Sequence, residues 1–259
     1  MIDTHSHLFE DDFKDDIEAC ITRAKNNGID KIVLVGFSHE TNEKAYQFSN
    51  KYSIFYPTAG LHPSEATINY KLDYDKLVDF IDNHKVYAIG ECGLDYHYGK
   101  ENIIEQKALF KLQCDLAISL DLPIIIHSRD ADLDTFNIIK SYNGKLKGVM
   151  HCYSGSLEMA REYIKLGFYI SLGGPVTFKN ARVPKEVAMG IPLERLLIET
   201  DCPFLAPTPF RGTRNESSYV KYVCEEIALL RGIPAFEVDN VTTKNAIYLF
   251  NLRWMKWKK

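Results

Sequence analysis

No apolar run in this 259-residue chain approaches the roughly 18 residues needed to cross a bilayer, and no basic-then-apolar leader opens it. The expectation is a cytoplasmic protein without membrane contact. An excess of positive charge is also missing: the formal net charge is −4 and the pI about 6.1, which argues against a module that coats duplex nucleic acid. It does not exclude an enzyme that grips a few phosphates in a pocket. The six cysteines form no short pairings, so neither a disulfide framework nor a Cys-rich zinc motif is expected. Pro- or Ser-rich linkers, internal repeats and low-complexity tracts are lacking as well, and one domain over 1–259 is expected. No feature demands an obligate protein partner.

What is present is a rhythm. Apolar, β-branched runs occur at the N-terminus and at 32–36, 54–61, 86–90, 123–126, 148–150, 168–174 and 196–200. Amphipathic stretches with helical spacing separate many of them, at 13–27, 76–83, 101–120, 132–142 and 157–166, and two more follow at 217–230 and 234–250. Strands alternating with helices call for a parallel sheet, and eight such units in about 250 residues fit a TIM-type (β/α)8 barrel with closing C-terminal helices. An open doubly wound sheet shares the alternation but leaves edges to cover.

Polar groups gather at one end of these runs. His5 and His7 end the first, and Glu91, His127, His151 and Asp201 end or directly follow four others. In a barrel that end is the mouth where active sites form. Residues two apart on a strand share a face, so His5 and His7 can grip one ion, with Asp3 expected beside them. A carboxylate ending an apolar run costs several kcal/mol unless it is protonated or paired, and a divalent cation supplies the partner. Read singly, each histidine is explained as a rim group bonded to a loop, but that explanation must be repeated independently at every position. Cys92, Cys152 and Cys202 each follow one of these residues, and strand alternation is expected to turn them away. Glu199 reads as a core ion-pair partner, and Asp201 as the general base.

Together the segments DTHSH (3–7), GLHP (60–63), GECGLDY (90–96), HSRDA (127–131), HCYSG (151–155), ETDCPFL (199–205) and PFRGTRNES (209–217) resemble the TatD family of metal-dependent deoxyribonucleases, within the amidohydrolase-type barrel superfamily. The resemblance implies one metal at His5, His7, Glu91 and Asp201 and a second at Glu91, His127 and His151. It implies a DNA substrate, cut exonuclease-like from single-stranded or frayed ends by a metal-activated water, with Asp201 and Glu91 as catalytic residues. Mg²⁺ or Mn²⁺ would support activity, and Zn²⁺, Co²⁺ or Ni²⁺ also suit mixed imidazole and carboxylate ligands. His62, Arg129, Arg211 and Arg214 are the candidate substrate contacts, each with a loop salt bridge or rim position as its plainer reading. The family's loop lysine is Thr213 here and its proline Ser217. Hydrolysis of an amide, ester, lactone or phosphotriester is the competing activity, and a non-catalytic binding barrel the competing class.

Overall fold

Eight short strands run in parallel through the chain: β1 (Ile2–Ser6), β2 (Lys31–Val35), β3 (Phe55–Thr58), β4 (Ile89–Asp95), β5 (Ile124–Arg129), β6 (Gly148–Met150), β7 (Tyr169–Leu172) and β8 (Leu196–Ile198). The structure is a computed structural model that describes residues 1–97 and 101–252. The helices are α1 (Ile17–Asn26), α2 (His39–Lys51), α3 (Tyr70–Asn83), α4 (Ile103–Ser119), α5 (Asp132–Ser141), α6 (Leu157–Lys165), α7 (Arg182–Gly190), α8 (Val220–Arg231) and α9 (Ala235–Leu249). None of them is long and apolar enough to cross a membrane. The basic, tryptophan-bearing end of the chain, 253–259, lies outside the described residues.

The strands pair as two arcs, β1-β2-β3 and β4-β5-β6-β7-β8. Isolated parallel bridges, Ser6 to Cys202 and Ala59 to Ile89, join the arcs into a closed barrel. At the second seam the backbones of Gly60 and Gly90 touch: a Cβ on Gly60 would lie 2.5 Å from the Gly90 Cα, so no side chain fits.

Strand alternation divides the core in two. Ile32, Leu34, Ile124, Ile126, Ile170, Leu172, Leu196 and Ile198 face outward and pack against the apolar stripes of the surrounding helices. Val33, Val35, Ile125, Val149, Tyr169 and Leu197 face inward. Ala246 and Leu249 of α9, with Phe250 and Leu252, join this inner cluster, while Asn245 donates to the carbonyls of Leu193 and Leu196 at the start of β8. The floor of the barrel is therefore plugged by α9. Each of these buried aliphatic side chains contributes roughly 1.5–3 kcal/mol.

The TIM-type barrel expected from the sequence is the fold observed. Differences lie in the bounds: β3 covers four residues of the expected 54–61, and β4 starts at Ile89 and continues past Glu91 to Asp95. Helices α2 and α7 follow β2 and β7 and complete the eight β/α units expected, although neither is among the amphipathic stretches read from the sequence.

Candidate metal centre

β1 delivers two imidazoles through an irregularity. Its register against β2 shifts between Asp3 and Ser6. Ile2 joins the inner cluster and Thr4 meets Ser171, yet His5 and His7, of opposite parity, also reach the mouth. Asp3 does not stand beside their rings as expected. It accepts bonds from the Thr200 amide (2.9 Å), the Thr200 hydroxyl (2.7 Å) and the Ser217 hydroxyl (2.6 Å). Burial lifts its carboxyl to about 7 against those bonds.

Glu91 occupies the centre. Its Oε2 faces His5 Nε2 (3.4 Å) and His7 Nε2 (3.9 Å), and its Oε1 faces His151 Nε2 (2.9 Å) and His127 Nδ1 (3.1 Å). Asp201 Oδ1 closes the first group at 3.6 Å from His7 Nε2 and 3.7 Å from His5 Nε2. Within each triad, His5-His7-Asp201 and Glu91-His127-His151, the donor atoms lie within 4.8 Å of one another. Donors around a tetrahedral ion at about 2.1 Å stand about 3.4 Å apart, so both triads can hold a divalent metal. β4 and β5 approach closely beside Glu91: a Cβ on Gly93, two residues on, would overlap the His127 carbonyl oxygen.

The hydrogen bonds behind the rings aim them. His7 Nδ1 donates to the Val35 carbonyl (2.8 Å), so in the neutral ring, the form that binds a metal, Nε2 carries the lone pair. That lone pair faces His5 Nε2 at 3.2 Å, an arrangement suited to a shared cation. His5 Nδ1 has no hydrogen-bond partner among the described residues, and the His5 ring stacks on that of His151 with centroids 4.0 Å apart. His127 Nε2 is bonded to Asp95 Oδ2 (2.9 Å), and Glu199 Oε1 stands 3.5 Å from His151 Nδ1 while accepting the Cys152 amide at 2.6 Å. Glu199 is thus a partner of the site rather than of the core alone.

Without a cation these groups neutralise one another. Burial favours a neutral Glu91, but His151, His127 and His5 outweigh it and hold the carboxyl well below its usual range. Asp201 is lowered in the same way, chiefly by His7. Burial likewise disfavours charge on His151, His127 and His7, yet the facing carboxylates raise all three, His151 most. His5 is lowered by burial and by its neighbour His151. A cation entering here takes the place of protons.

A cavity of about 960 Å³ opens above the centre, lined by His62, Arg129, Tyr153, Phe204 and others. His62 Nε2 lies 3.8 Å from Glu91 Oε1, and burial lowers this imidazole to about 4, so it is neutral at pH 7. Its Nδ1 accepts the Ser64 amide (3.1 Å), which puts the proton on Nε2. Arg129 lies at the rim. Arg211 and Arg214 are not brought to the cavity. The Arg211 guanidinium lies 4.3 Å over Phe178, and Arg214 forks onto Asp16 with bonds of 2.7 and 2.8 Å. Cys92 and Cys202 turn into buried surroundings, as expected, whereas Cys152 lines the cavity. Tyr96 donates to Asp134, an ordinary loop contact.

Two contributors escape sequence reasoning. Asp95 shares the face of Glu91, four residues on, and the alternation Glu91, Gly93, Asp95 is the signal that could have found it. The other is the pair Asn215 and Glu216 in the loop 211–217, which ties that loop to the rest of the barrel. Asn215 Nδ2 donates to the carbonyls of Thr200 and Phe204, each at 2.7 Å, and Glu216 pairs with Arg23 at 2.6 Å. Asn215 thus clasps the turn carrying Asp201, whose φ of 59° is left-handed, while Glu216 ties the loop to α1.

Comparison with known proteins matches the TatD related DNase family model to residues 2–251. YabD of Bacillus subtilis, an uncharacterized metal-dependent hydrolase, is 47% identical, covering 97% of this chain and 99% of its own. The 3'-5' ssDNA/RNA exonuclease TatD of Cronobacter sakazakii is 32% identical, covering 96% and 97%. The crystal structure of YjjV, a TatD homolog from Escherichia coli K12, superposes with a TM-score of 0.91 at 32% identity and covers 98% of each chain.

Proposed function

Because this chain belongs to the TatD family of metal-dependent hydrolases, we propose that it cleaves phosphodiester bonds at single-stranded or frayed DNA ends. His5, His7, Glu91 and Asp201 would hold one divalent ion, and Glu91, His127 and His151 a second. The observation that carries the reading is the division of one carboxylate between two imidazole pairs, Oε2 toward His5 and His7 and Oε1 toward His127 and His151. A paired site of this kind suits the attacking and leaving oxygens of an in-line displacement. The exonuclease name of the Cronobacter relative supports a nucleic-acid substrate.

Bound divalent ions supply charge for the phosphoryl oxygens and a water whose proton leaves near neutral pH. The chain does the rest. Asp201, ionised and opening on the cavity, receives the proton of the attacking water. The water oxygen bonds to phosphorus as the bond to the departing sugar oxygen breaks, and that oxygen leaves as the alcohol by taking up the proton that Asp201 gives back through solvent. His62, a neutral Nε2–H donor beside Glu91, positions a phosphate oxygen, and Arg129 meets the substrate at the rim. Asp95 and Glu199 keep His127 and His151 turned inward.

A second reading, hydrolysis of an amide, ester, lactone or phosphotriester by the same centre, gains from one observation. Arg211 and Arg214 face away, and Arg129 is the arginine lining the cavity among the described residues. One experiment separates the two: wild type and Asp201→Asn are assayed on a labelled oligonucleotide and on neutral esters, with Mg²⁺ and with Mn²⁺. The expected result is oligonucleotide cleavage that falls roughly 100- to 10,000-fold in the variant. Cleavage of neutral esters alone would replace the proposal by the second reading.

A further inference from the structure

Phe204 is a large apolar side chain left 58% exposed at the rim of the metal-lined cavity, with Leu205 beside it at 43%. Exposure alone means little, since Phe236 is 68% exposed on α9 and is not among the residues lining this cavity. Phe204 differs in how it is held and what it faces. Its amide donates to the Asp201 carbonyl at 2.9 Å, so the ring stands one tight turn beyond the proposed base. Its carbonyl accepts from Asn215 at 2.7 Å, and the preceding Pro203 carbonyl accepts the Asn215 amide at 3.0 Å. Leu205 follows in left-handed backbone, φ 54°, with its carbonyl packed on Gly174, where a Cβ would overlap it. The ring is thus displayed on a fixed turn. Its centroid lies 6.4 Å from that of His7, at an interplanar angle of 63°.

The cavity therefore has a charged centre that suits a phosphate and, about one sugar's reach away, an exposed aromatic ring on a rigid mount. Pro175 and Val176 line the cavity as well and give it apolar surface. A nucleotide has this order of parts: anionic phosphate, polar sugar, flat base. We propose that Phe204 is a stacking platform for the nucleobase adjoining the scissile phosphate. The proposal rests on the phosphodiesterase reading and specifies how that site holds its substrate. Stacking uses the π-face common to all four bases, so the platform recognises a base without selecting its identity, and serves ribo- and deoxyribonucleotides alike.

The test uses end-labelled oligothymidylates that differ only at the terminal nucleotide, natural or abasic, assayed with the metal-loaded protein. Stacking one base is worth about 5- to 150-fold by the usual measure of alanine replacement. Wild type is expected to prefer the natural terminus by a factor in that range, expressed mainly in KM. Phe204→Ala should erase most of the preference, Phe204→Leu should keep little, and Phe204→Trp should restore it. A fold defect lowers turnover of both substrates and leaves their ratio in place, so the ratio is the readout. Cleavage with the same preference in wild type and Phe204→Ala would overturn the platform and leave the phosphodiesterase reading standing. Wild type that cuts no oligonucleotide with Mg²⁺, Mn²⁺, Co²⁺ or Zn²⁺ would overturn that reading, and the platform with it.

Discussion

Replacing Asn215 by alanine tests whether the 211–217 loop acts as a brace. The side chain is fully buried and makes three bonds: Nδ2 to the carbonyls of Thr200 and Phe204 at 2.7 Å each, and Oδ1 from the Glu216 amide at 2.9 Å. Alanine leaves the Thr200 carbonyl and the Glu216 amide without partners in the buried interior, and the Phe204 carbonyl without one where burial is partial. At about 1 kcal/mol for each lost bond the variant is destabilised by about 3 kcal/mol, more if no water enters. For a chain of this size that lowers the midpoint by roughly 6–12 °C. Asn215→Asp should cost more, because a carboxylate oxygen would then face the two carbonyls. Urea unfolding at fixed metal concentration measures the loss. A parallel chelator competition measures ion affinity, which should weaken as the turn bearing Asp201 loosens. A loss below about 1 kcal/mol with unchanged ion affinity would refute the brace.

Two further outcomes are expected. Asp95→Ala should weaken ion binding about 10- to 100-fold by freeing the His127 ring, checked by zinc competition; unchanged affinity would make Asp95 a bystander. Ion affinity should also rise with pH above about 6.5, roughly tenfold per pH unit for each proton displaced. The sign follows from His151, His127 and His7, whose raised pKa values keep them protonated beyond the ordinary imidazole range. In the ion-free protein the same pairs stabilise the fold at lower pH, and that contribution is lost as pH rises through the raised values. Calorimetry in buffers of different ionisation heat counts the protons; affinity independent of pH would contradict the assignment.

The barrel was legible because each inner or outer face writes itself as an apolar run, and the six central groups stood out as polar residues where those runs end. Helix α2 was hidden because its buried positions are Thr41, Asn42 and Ala45, which carry no apolar stripe. Its Asn42 instead bonds the Gly60 amide and carbonyl. Helix α7 is only nine residues long and has a proline in its first turn. Asp95 was missed because glycine-bearing β4 runs four residues past Glu91. Arg214 looked like a phosphate ligand because its true partner, Asp16, lies 198 residues away, and linear order carries no trace of that pairing. The shift within β1 is invisible for a related reason: parity from Asp3 to His5 predicts shared company, and only the neighbouring strand reveals the slip.

The two seams that close the barrel carry one isolated bridge each, beside β1 and the 199–202 turn and beside Glu91. Further hydrogen bonds cross them, such as those from Tyr87 to Pro57 and from Thr4 to Ile198. On the proposed coordination an ion at His5, His7, Glu91 and Asp201 would rivet the short arc to both ends of the long one. Catalysis and the reinforcement of both seams would then draw on the same atom. Stripping the cation would remove that rivet, while the hydrogen bonds across the seams and the plugged floor stay in place.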